Sequence, residues 1–278
     1  MPESLKASAP SPQGGPAEPI HVAWRAAKPA RNAWMTIPDP YLAEFVAARA
    51  EVEAVTLDLQ HGLFDTRAAV ECIRAIGLRG KAPLVRLPDH DPALIGFLLD
   101  AGAAGLVAPM VENAAEAGQL VAACRYPPKG RRSHGLTRGG LGRGADAFAL
   151  AEQTILFAMI ETSHALDACE RIAAVDGLDG LFVGPGDLGI SLGIGPGQDR
   201  EEPEIAAALA RVSESCKAAG KRCAVHAASA RYAATMAGKG YDLVTVWVDV
   251  VAIEASLAEG QRQWADHFAS PGSGVRKA

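Results

Sequence analysis

Glu161 and Asp187 are the first residues in this sequence with the makings of a reactive site. Glu161 closes the apolar run Ile155–Ile160, and Asp187 follows the run Gly180–Val183 through Gly184-Pro185-Gly186. Two carboxylates delivered by neighbouring segments make an oxygen-rich, sparsely liganded site. That suits Mg²⁺ or Mn²⁺, which keep waters and take up substrate oxygens. Zinc would ask for His or Cys ligands, and none stands nearby. The plainer alternative is that Glu161 caps the next helix and Asp187 caps a turn.

Arg86 ends another apolar run and precedes Leu87-Pro88. A guanidinium there can bind an anion through paired hydrogen bonds, or stabilise an oxyanion as it forms. A structural ion pair across the same mouth is the alternative. His61 lies three residues after Asp58 and next to Gly62. An Asp beside a His fixes its tautomer and raises its basicity, and Gly62 allows a sharp turn or a close ligand approach. A satisfied structural histidine is the competing reading. His226 closes a later run without an evident partner and reads as structural or peripheral.

The elements that must position these groups follow from hydrophobic rhythm. Short apolar runs occur at Ala33–Ile37, Ala54–Leu59, Ala82–Leu87, Gly105–Met110, Ile155–Ile160, Gly180–Val183, Arg222–Val225 and Leu243–Val248. Several lack polar alternation, as strands buried on both faces do. Amphipathic stretches follow them, among them Thr66–Ile76, Pro92–Ala101, Ala114–Cys124, His164–Ala174, Glu204–Ala219 and Ala230–Ala237. Gly77, Gly102, Gly220 and Gly240 stand where helix C-caps fall. Eight such units predict a single-domain (β/α)8 TIM barrel over residues 29–269. The rival open sheet lacks its G-x-G-x-x-G fingerprint. In a barrel, groups at the C-terminal strand ends share one mouth. No inward lysine is available for Schiff-base chemistry, since Lys81 sits just before the third strand.

Residues 1–28, rich in Pro, Ala and Ser, are expected to be a disordered tail, and 270–278 a flexible one. The connection from Tyr126 to Ala145 is long, basic and glycine-rich; it reads as a loop that guides an acidic substrate, pairs with a neighbouring subunit, or is merely solvated.

The chain has 278 residues, with 27 Lys+Arg against 32 Asp+Glu and a net charge of −5. That balance offers no basic stripe for nucleic acid. No apolar run is long enough to span a membrane and no leader is evident. Five unclustered cysteines, odd in number, predict reduced thiols in a cytoplasmic protein.

Six ordered motifs together resemble the HpcH/HpaI aldolase family of the aldolase/citrate lyase group. They are Asp58-Leu59-Gln60-His61-Gly62, Val85-Arg86-Leu87-Pro88, Ala108-Pro109-Met110-Val111-Glu112-Asn113, Arg125-Tyr126-Pro127-Pro128-Lys129-Gly130, Ile160-Glu161-Thr162 and Val183-Gly184-Pro185-Gly186-Asp187-Leu188. The resemblance spans about Asn32 to Phe268. It implies a class II aldolase that reversibly cleaves 2-keto-4-hydroxy acids, such as 4-hydroxy-2-oxoheptanedioate-like substrates, to pyruvate and an aldehyde. By the same analogy Glu161 and Asp187 hold a divalent metal, Mg²⁺ or Mn²⁺ with Co²⁺ a further candidate. Arg86 steadies the enolate oxygen, and His61, backed by Asp58, handles the 4-hydroxyl proton. Backbone N–H groups near Gly186 and Asp187 receive the carboxylate, and Trp34 lines the pocket. Asp100 corresponds to an acidic residue that reaches a neighbouring subunit's site, and the implied assembly is a homohexamer of helix-exchanging dimers. Gln60 stands where many members have Glu, and Met159 where some have Gln. A citramalyl- or malyl-CoA-type lyase, an oxaloacetate decarboxylase and a non-catalytic keto-acid or metal sensor are the alternatives.

Overall fold

The apolar runs pair in parallel, each with its successor, and the last closes onto the first. The computed structural model describes residues 15–135 and 147–269. Its first half contains α1 (Glu18–Arg25), β1 (Ala30–Met35), α2 (Pro40–Arg49), β2 (Ala54–Asp58), α3 (Thr66–Leu78), β3 (Ala82–Arg86), α4 (Pro92–Ala101), β4 (Gly105–Ala108) and α5 (Ala114–Cys124). Its second half contains α6 (Ala147–Glu152), β5 (Ile155–Ile160), α7 (Ser163–Ala173), β6 (Gly180–Val183), α8 (Pro185–Ser191), α9 (Pro203–Ala218), β7 (Arg222–Val225), α10 (Ala230–Gly238), β8 (Leu243–Val248) and α11 (Asp249–Ala269). This is the expected (β/α)8 barrel.

Every residue of β2 through β6 is buried, which explains their apolar runs without alternation. Successive side chains then sort to opposite faces. Leu84, Val107, Phe157, Met159, Phe182 and Leu243 fill the barrel, whereas Val55, Leu57, Val85, Leu106, Ile160 and Val183 pack outward against the helices. A small polar layer inside the barrel is fully satisfied: Thr56 Oγ1 donates to Asn32 Oδ1 at 2.9 Å, and Asn32 Nδ2 donates to Thr245 Oγ1 at 3.3 Å.

Side-chain caps fix where the helices leave the mouth. Asp39, Asp65, Asp91, Asn113, Thr162 and Ser229 each accept a backbone N–H at the start of α2, α3, α4, α5, α7 and α10. Such caps contribute about 1 kcal/mol apiece. Thr162 therefore caps α7, and the Glu161 carboxylate is not spent on that task. The expected cap at Gly77 is corrected. That residue lies inside α3, and Gly80, with φ 70°, takes the left-handed position beyond the helix.

The expected tail over residues 1–28 is also corrected in part. Residues 18–25 form α1, with Ile20 and Trp24 buried. Trp24 Nε1 donates to the Asp242 carbonyl at 2.8 Å, Arg222 lies over its ring, and Phe157 meets it edge-on. Its partners flank the starts of β7 and β8, so α1 closes the N-terminal end of the barrel. Two large side chains with long-range partners are enough to order this short helix despite its proline-rich approach. Residues 1–14 and 270–278 lie outside the described residues.

At the other end of the chain, no residue from 250 to 268 in α11 is buried. Among the described residues, no helix is long and apolar enough to cross a membrane.

Candidate active site

Trp34, Asp58, His61, Arg86, Glu161, Gly186 and Asp187 line one cavity of about 240 Å³ at the C-terminal ends of the strands. Barrel register produces the first relationship. Asp58 and Arg86 are direct partners across β2 and β3. Arg86 Nε donates to Asp58 Oδ1 at 2.8 Å and Nη2 donates to Oδ2 at 2.5 Å. Both side chains are almost wholly buried. Burial alone would raise the Asp58 carboxyl, but hydrogen bonds and charge from Arg86, with help from the His61 N–H and Trp34, hold it below its ordinary value.

This pairing revises the expected Asp58–His61 dyad. Asp58 does not hold the His61 imidazole: its Oδ1 accepts the backbone N–H groups of Gln60 and His61, both at 3.1 Å, while its Oδ2 takes Trp34 Nε1 at 3.2 Å. The three-residue spacing built a turn around the carboxylate instead of a dyad with the ring. Asp58 thus occupies Nε and Nη2 of Arg86, and Nη1 has no partner among the described residues. Two of the five guanidinium N–H groups are thus used, and both Nη1 N–H groups and the outer N–H of Nη2 remain for the cavity. The guanidinium also lies 5.1 Å from the centroid of Trp34.

Glu161 is buried, and its two oxygens differ. Oε1 accepts the Met110 N–H at 2.6 Å. Oε2 is buried without a hydrogen-bond partner. Met110 reaches that position with φ 52°, a left-handed geometry that costs a non-glycine residue about 1 kcal/mol. Burial pushes the Glu161 carboxyl up; the charge of Asp187 pushes it further, against the Met110 hydrogen bond. A Cβ on Gly184 would stand 2.8 Å from Oε2, so the glycine keeps space open in front of it. Asp187 sits in the first turn of α8 and accepts no hydrogen bond among the described residues. An orphaned buried carboxylate oxygen beside a second, unengaged carboxylate is a donor set that fits a hard divalent cation. Among the described residues, no group of three or more His, Cys, Asp or Glu side chains is placed to hold a metal. Any cation here would complete its shell from water and substrate.

The pattern of the HpcH/HpaI aldolase/citrate lyase family matches residues 33–250, most of the barrel. The chain belongs to that family. It is 40% identical over 241 residues to a hydroxypyruvate/pyruvate aldolase of Rhizorhabdus wittichii, covering 86% of this chain and 96% of that one. It is 37% identical over 249 residues to a pyruvate aldolase of Rhizobium etli, covering 88% and 95%. An HpcH/HpaI family structure from Burkholderia cenocepacia superposes with a TM-score of 0.76 at 32% identity, covering 87% of this chain and 95% of that one.

Within this HpcH/HpaI barrel the cavity has further walls. Thr36, Met159, Gln198, His226 and Val248 also line it. Thr36 is held by Asp249, which accepts its N–H at 2.8 Å and its hydroxyl at 3.0 Å. The sequence reading puts it inside the run Ala33–Ile37, whereas β1 ends at Met35 and Thr36 is the first residue past the strand. Gln198 lies in an irregular loop with no motif. His226, read as peripheral, lies in the cavity. No described residue lining the cavity is a lysine, in keeping with the expectation against a Schiff base.

Asp100 is elsewhere in this HpcH/HpaI chain. It lies on α4, pairs with Arg132 Nη2 at 2.7 Å and borders a separate recess of about 660 Å³. The basic loop is likewise engaged within the chain. Arg132 pairs with Asp100 and Lys129 with Glu152, and Arg125, just before the loop, donates to the carbonyls of Ala151, Thr154 and Gly177. Its glycine-rich part, residues 136–146, lies outside the described residues.

Proposed function

We propose that this chain is a divalent-metal-dependent pyruvate aldolase, a carbon–carbon lyase that reversibly cleaves 2-keto-4-hydroxy acids to pyruvate and an aldehyde. The observation that supports it is the buried, unpartnered Oε2 of Glu161 in one cavity with Asp187 and the Asp58-anchored Arg86. Dependence on a divalent cation is general in the family, and Glu161 and Asp187 are the residues that would hold it. Mg²⁺ and Mn²⁺ suit two carboxylates best, with Co²⁺ next. When bound, the cation supplies Lewis-acid stabilisation of negative charge on the keto acid.

The remaining steps belong to the chain's own groups. Arg86 presents Nη1 to the keto oxygen, where charge accumulates as the C3–C4 bond breaks. Asp58 keeps that guanidinium in place by taking its other edge. His61, exposed at the rim, accepts the 4-hydroxyl proton, directly or through a water. Backbone N–H groups at Gly186 and Asp187 receive the substrate carboxylate, and Trp34 closes one wall. The relatives' names pair hydroxypyruvate with pyruvate, so the donor's third carbon, methyl or hydroxymethyl, is the variable of this site.

The functional unit we propose is a homo-oligomer, a hexamer of helix-exchanging dimers. Support comes from α11, which exposes Val250, Val251, Ile253, Leu257, Trp264 and Phe268. An amphipathic helix buried, among the described residues, only at its first, Asp249, gains little from its own barrel, and a second copy offers the same uncovered faces. In that assembly Asp100 reaches a neighbouring cavity.

Proton exchange tests the proposal. The methyl protons of pyruvate in D₂O, followed by ¹H NMR, should exchange with the protein and Mg²⁺ or Mn²⁺, stop with EDTA, and resume on adding metal. Absence of exchange with every divalent ion would overturn the aldolase reading in favour of a keto-acid sensor. Faster cleavage of a malyl-CoA thioester than of free keto acids would replace it with the CoA lyase.

A further inference from the structure

One polar group in the cavity has no role in the chemistry above and no partner in the fold. His226 directly follows β7, and its N–H donates to the Val183 carbonyl of β6 at 3.1 Å. It therefore stands one strand, about 5 Å, from β6, which leads into α8 and Asp187. Its ring meets Trp34 edge-on, with centroids 4.8 Å apart, and shares the cavity lining with Trp34, Met159 and Val248. Its Nδ1 is buried without a hydrogen-bond partner.

A buried nitrogen left in that condition costs about 1–3 kcal/mol. An apolar side chain would fill the same space among Trp34, Met159 and Val248 without that cost. The imidazole is thus out of place beside a substrate methyl group and well placed beside a hydroxyl. Burial, reinforced by the positive charge of Arg86 and opposed by Asp58 and Asp199, lowers the ring to about 4. At neutral pH it is uncharged, with one nitrogen to donate and one to accept. A hydroxyl can satisfy either.

We propose that His226 is a specificity-determining residue that hydrogen-bonds a hydroxyl on the carbon next to the substrate's keto group. The donor would then be a 3-hydroxy-2-keto acid, of which hydroxypyruvate is the smallest, in preference to pyruvate. The inference rests on the aldolase reading, which puts the substrate carboxylate at Gly186 and Asp187 and the keto oxygen at Arg86. His226 lines the same cavity from the end of β7, and in this proposal the third carbon lies beside it. The aldehyde partner lies farther out and is not needed for this contact.

The test therefore omits the aldehyde. Exchange of the C3 protons of pyruvate and of hydroxypyruvate is measured separately in D₂O with Mn²⁺, above the protein-free rate. The readout is the ratio of kcat/KM for the two donors. Wild-type protein should favour hydroxypyruvate. His226→Phe should lower the ratio about tenfold or more, because the hydroxyl then faces an apolar wall. His226→Asn, which restores a donor and an acceptor, should recover part of it. An unchanged ratio in a folded His226→Phe protein, or an equal fall for both donors, would overturn the inference while leaving the aldolase intact. If the wild type exchanges neither donor, both readings fall together.

Discussion

Met110 donates its backbone N–H to one oxygen of Glu161 at 2.6 Å, and the other oxygen is left buried with no partner. The carboxylate is therefore fixed on one side and unsatisfied on the other. Glu161→Gln should reduce metal-dependent pyruvate exchange by at least about 100-fold with an unchanged circular dichroism spectrum. Because burial and Asp187 raise the folded-state value of Glu161, its contribution to stability is present below the ordinary carboxylate value and is lost as pH rises through the folded value. At pH 7.5 without metal, Glu161→Gln should melt higher than wild type by about 2–4 °C, and Mn²⁺ should raise the wild-type Tm only. Equal metal shifts in both proteins by scanning calorimetry would remove Glu161 from the site.

Arg86 and Asp58 act as a unit in which the acid occupies two of the three guanidinium nitrogens. Arg86→Ala should cost about 10²-fold or more in kcat, the usual effect of losing an oxyanion donor. A rise in KM alone would mark a binding role. Asp58→Asn should retain more activity than Arg86→Ala while destabilising the fold by about 3 kcal/mol, since it strips a buried charge of its partner. Asp58 is lowered in the fold, so its stabilisation is present above the ordinary carboxylate value and lost only as pH falls through the folded value. Urea titrations at pH 4.5 and 7.5 should therefore show nearly the same penalty for Asp58→Asn.

Gly184→Ala separates metal affinity from the metal ligands themselves. The new methyl would lie 2.8 Å from Glu161 Oε2 and 3.0 Å from the terminal methyl of Met159. Met159 can yield, but the anchored carboxylate has little room to move. Half-saturation by Mn²⁺ should rise about tenfold or more, with little change in Tm. An unchanged Mn²⁺ titration, followed by electron paramagnetic resonance, would show that Oε2 does not face the ion.

His226 should leave a mark on stability as well as on specificity. Its folded value of about 4 lies below the ordinary 6.5. The fold then resists a proton that the unfolded chain accepts, so stability falls as pH drops from 6.5 toward 4. The difference amounts to at most about 3 kcal/mol. Replacing His226 with Phe should flatten the wild-type Tm–pH curve across that interval. Parallel curves would show that the ring titrates freely.

The exposed apolar face of α11 gives an assembly prediction. Light scattering should find an oligomer, and Trp264→Glu with Phe268→Glu should shift it to smaller species. A monomeric wild type at micromolar concentration would rule out the helix-exchanged assembly.

The sequence made the barrel readable because its strands are buried on both faces. Bounds for β5 through β8 follow directly from uninterrupted apolar runs between glycines and charged residues. Asp58, Arg86 and Glu161 were legible as groups at strand ends, since register alone brings such ends together; Trp34 came only from the family resemblance. Orientation was not legible. Nothing in the spacing of Asp58 and His61 says that the backbone N–H, not the ring, meets the carboxylate. His226 looked idle because its neighbours Trp34 and Val248 come from β1 and β8, far away in sequence. Likewise α1 depends on Asp242, Arg222 and Phe157, contacts no local pattern encodes.

That last helix bears on how the protein should be handled. A shortened version that drops all 28 leading residues, as their proline-rich composition invites, would uncork the floor of the barrel. Phe157 and the Trp24 cleft would be opened to water at the end opposite the chemistry. Trimming only residues 1–14 keeps Gly15, whose N–H donates to Gln153 Oε1 at 3.1 Å and ties the approach to α1 down.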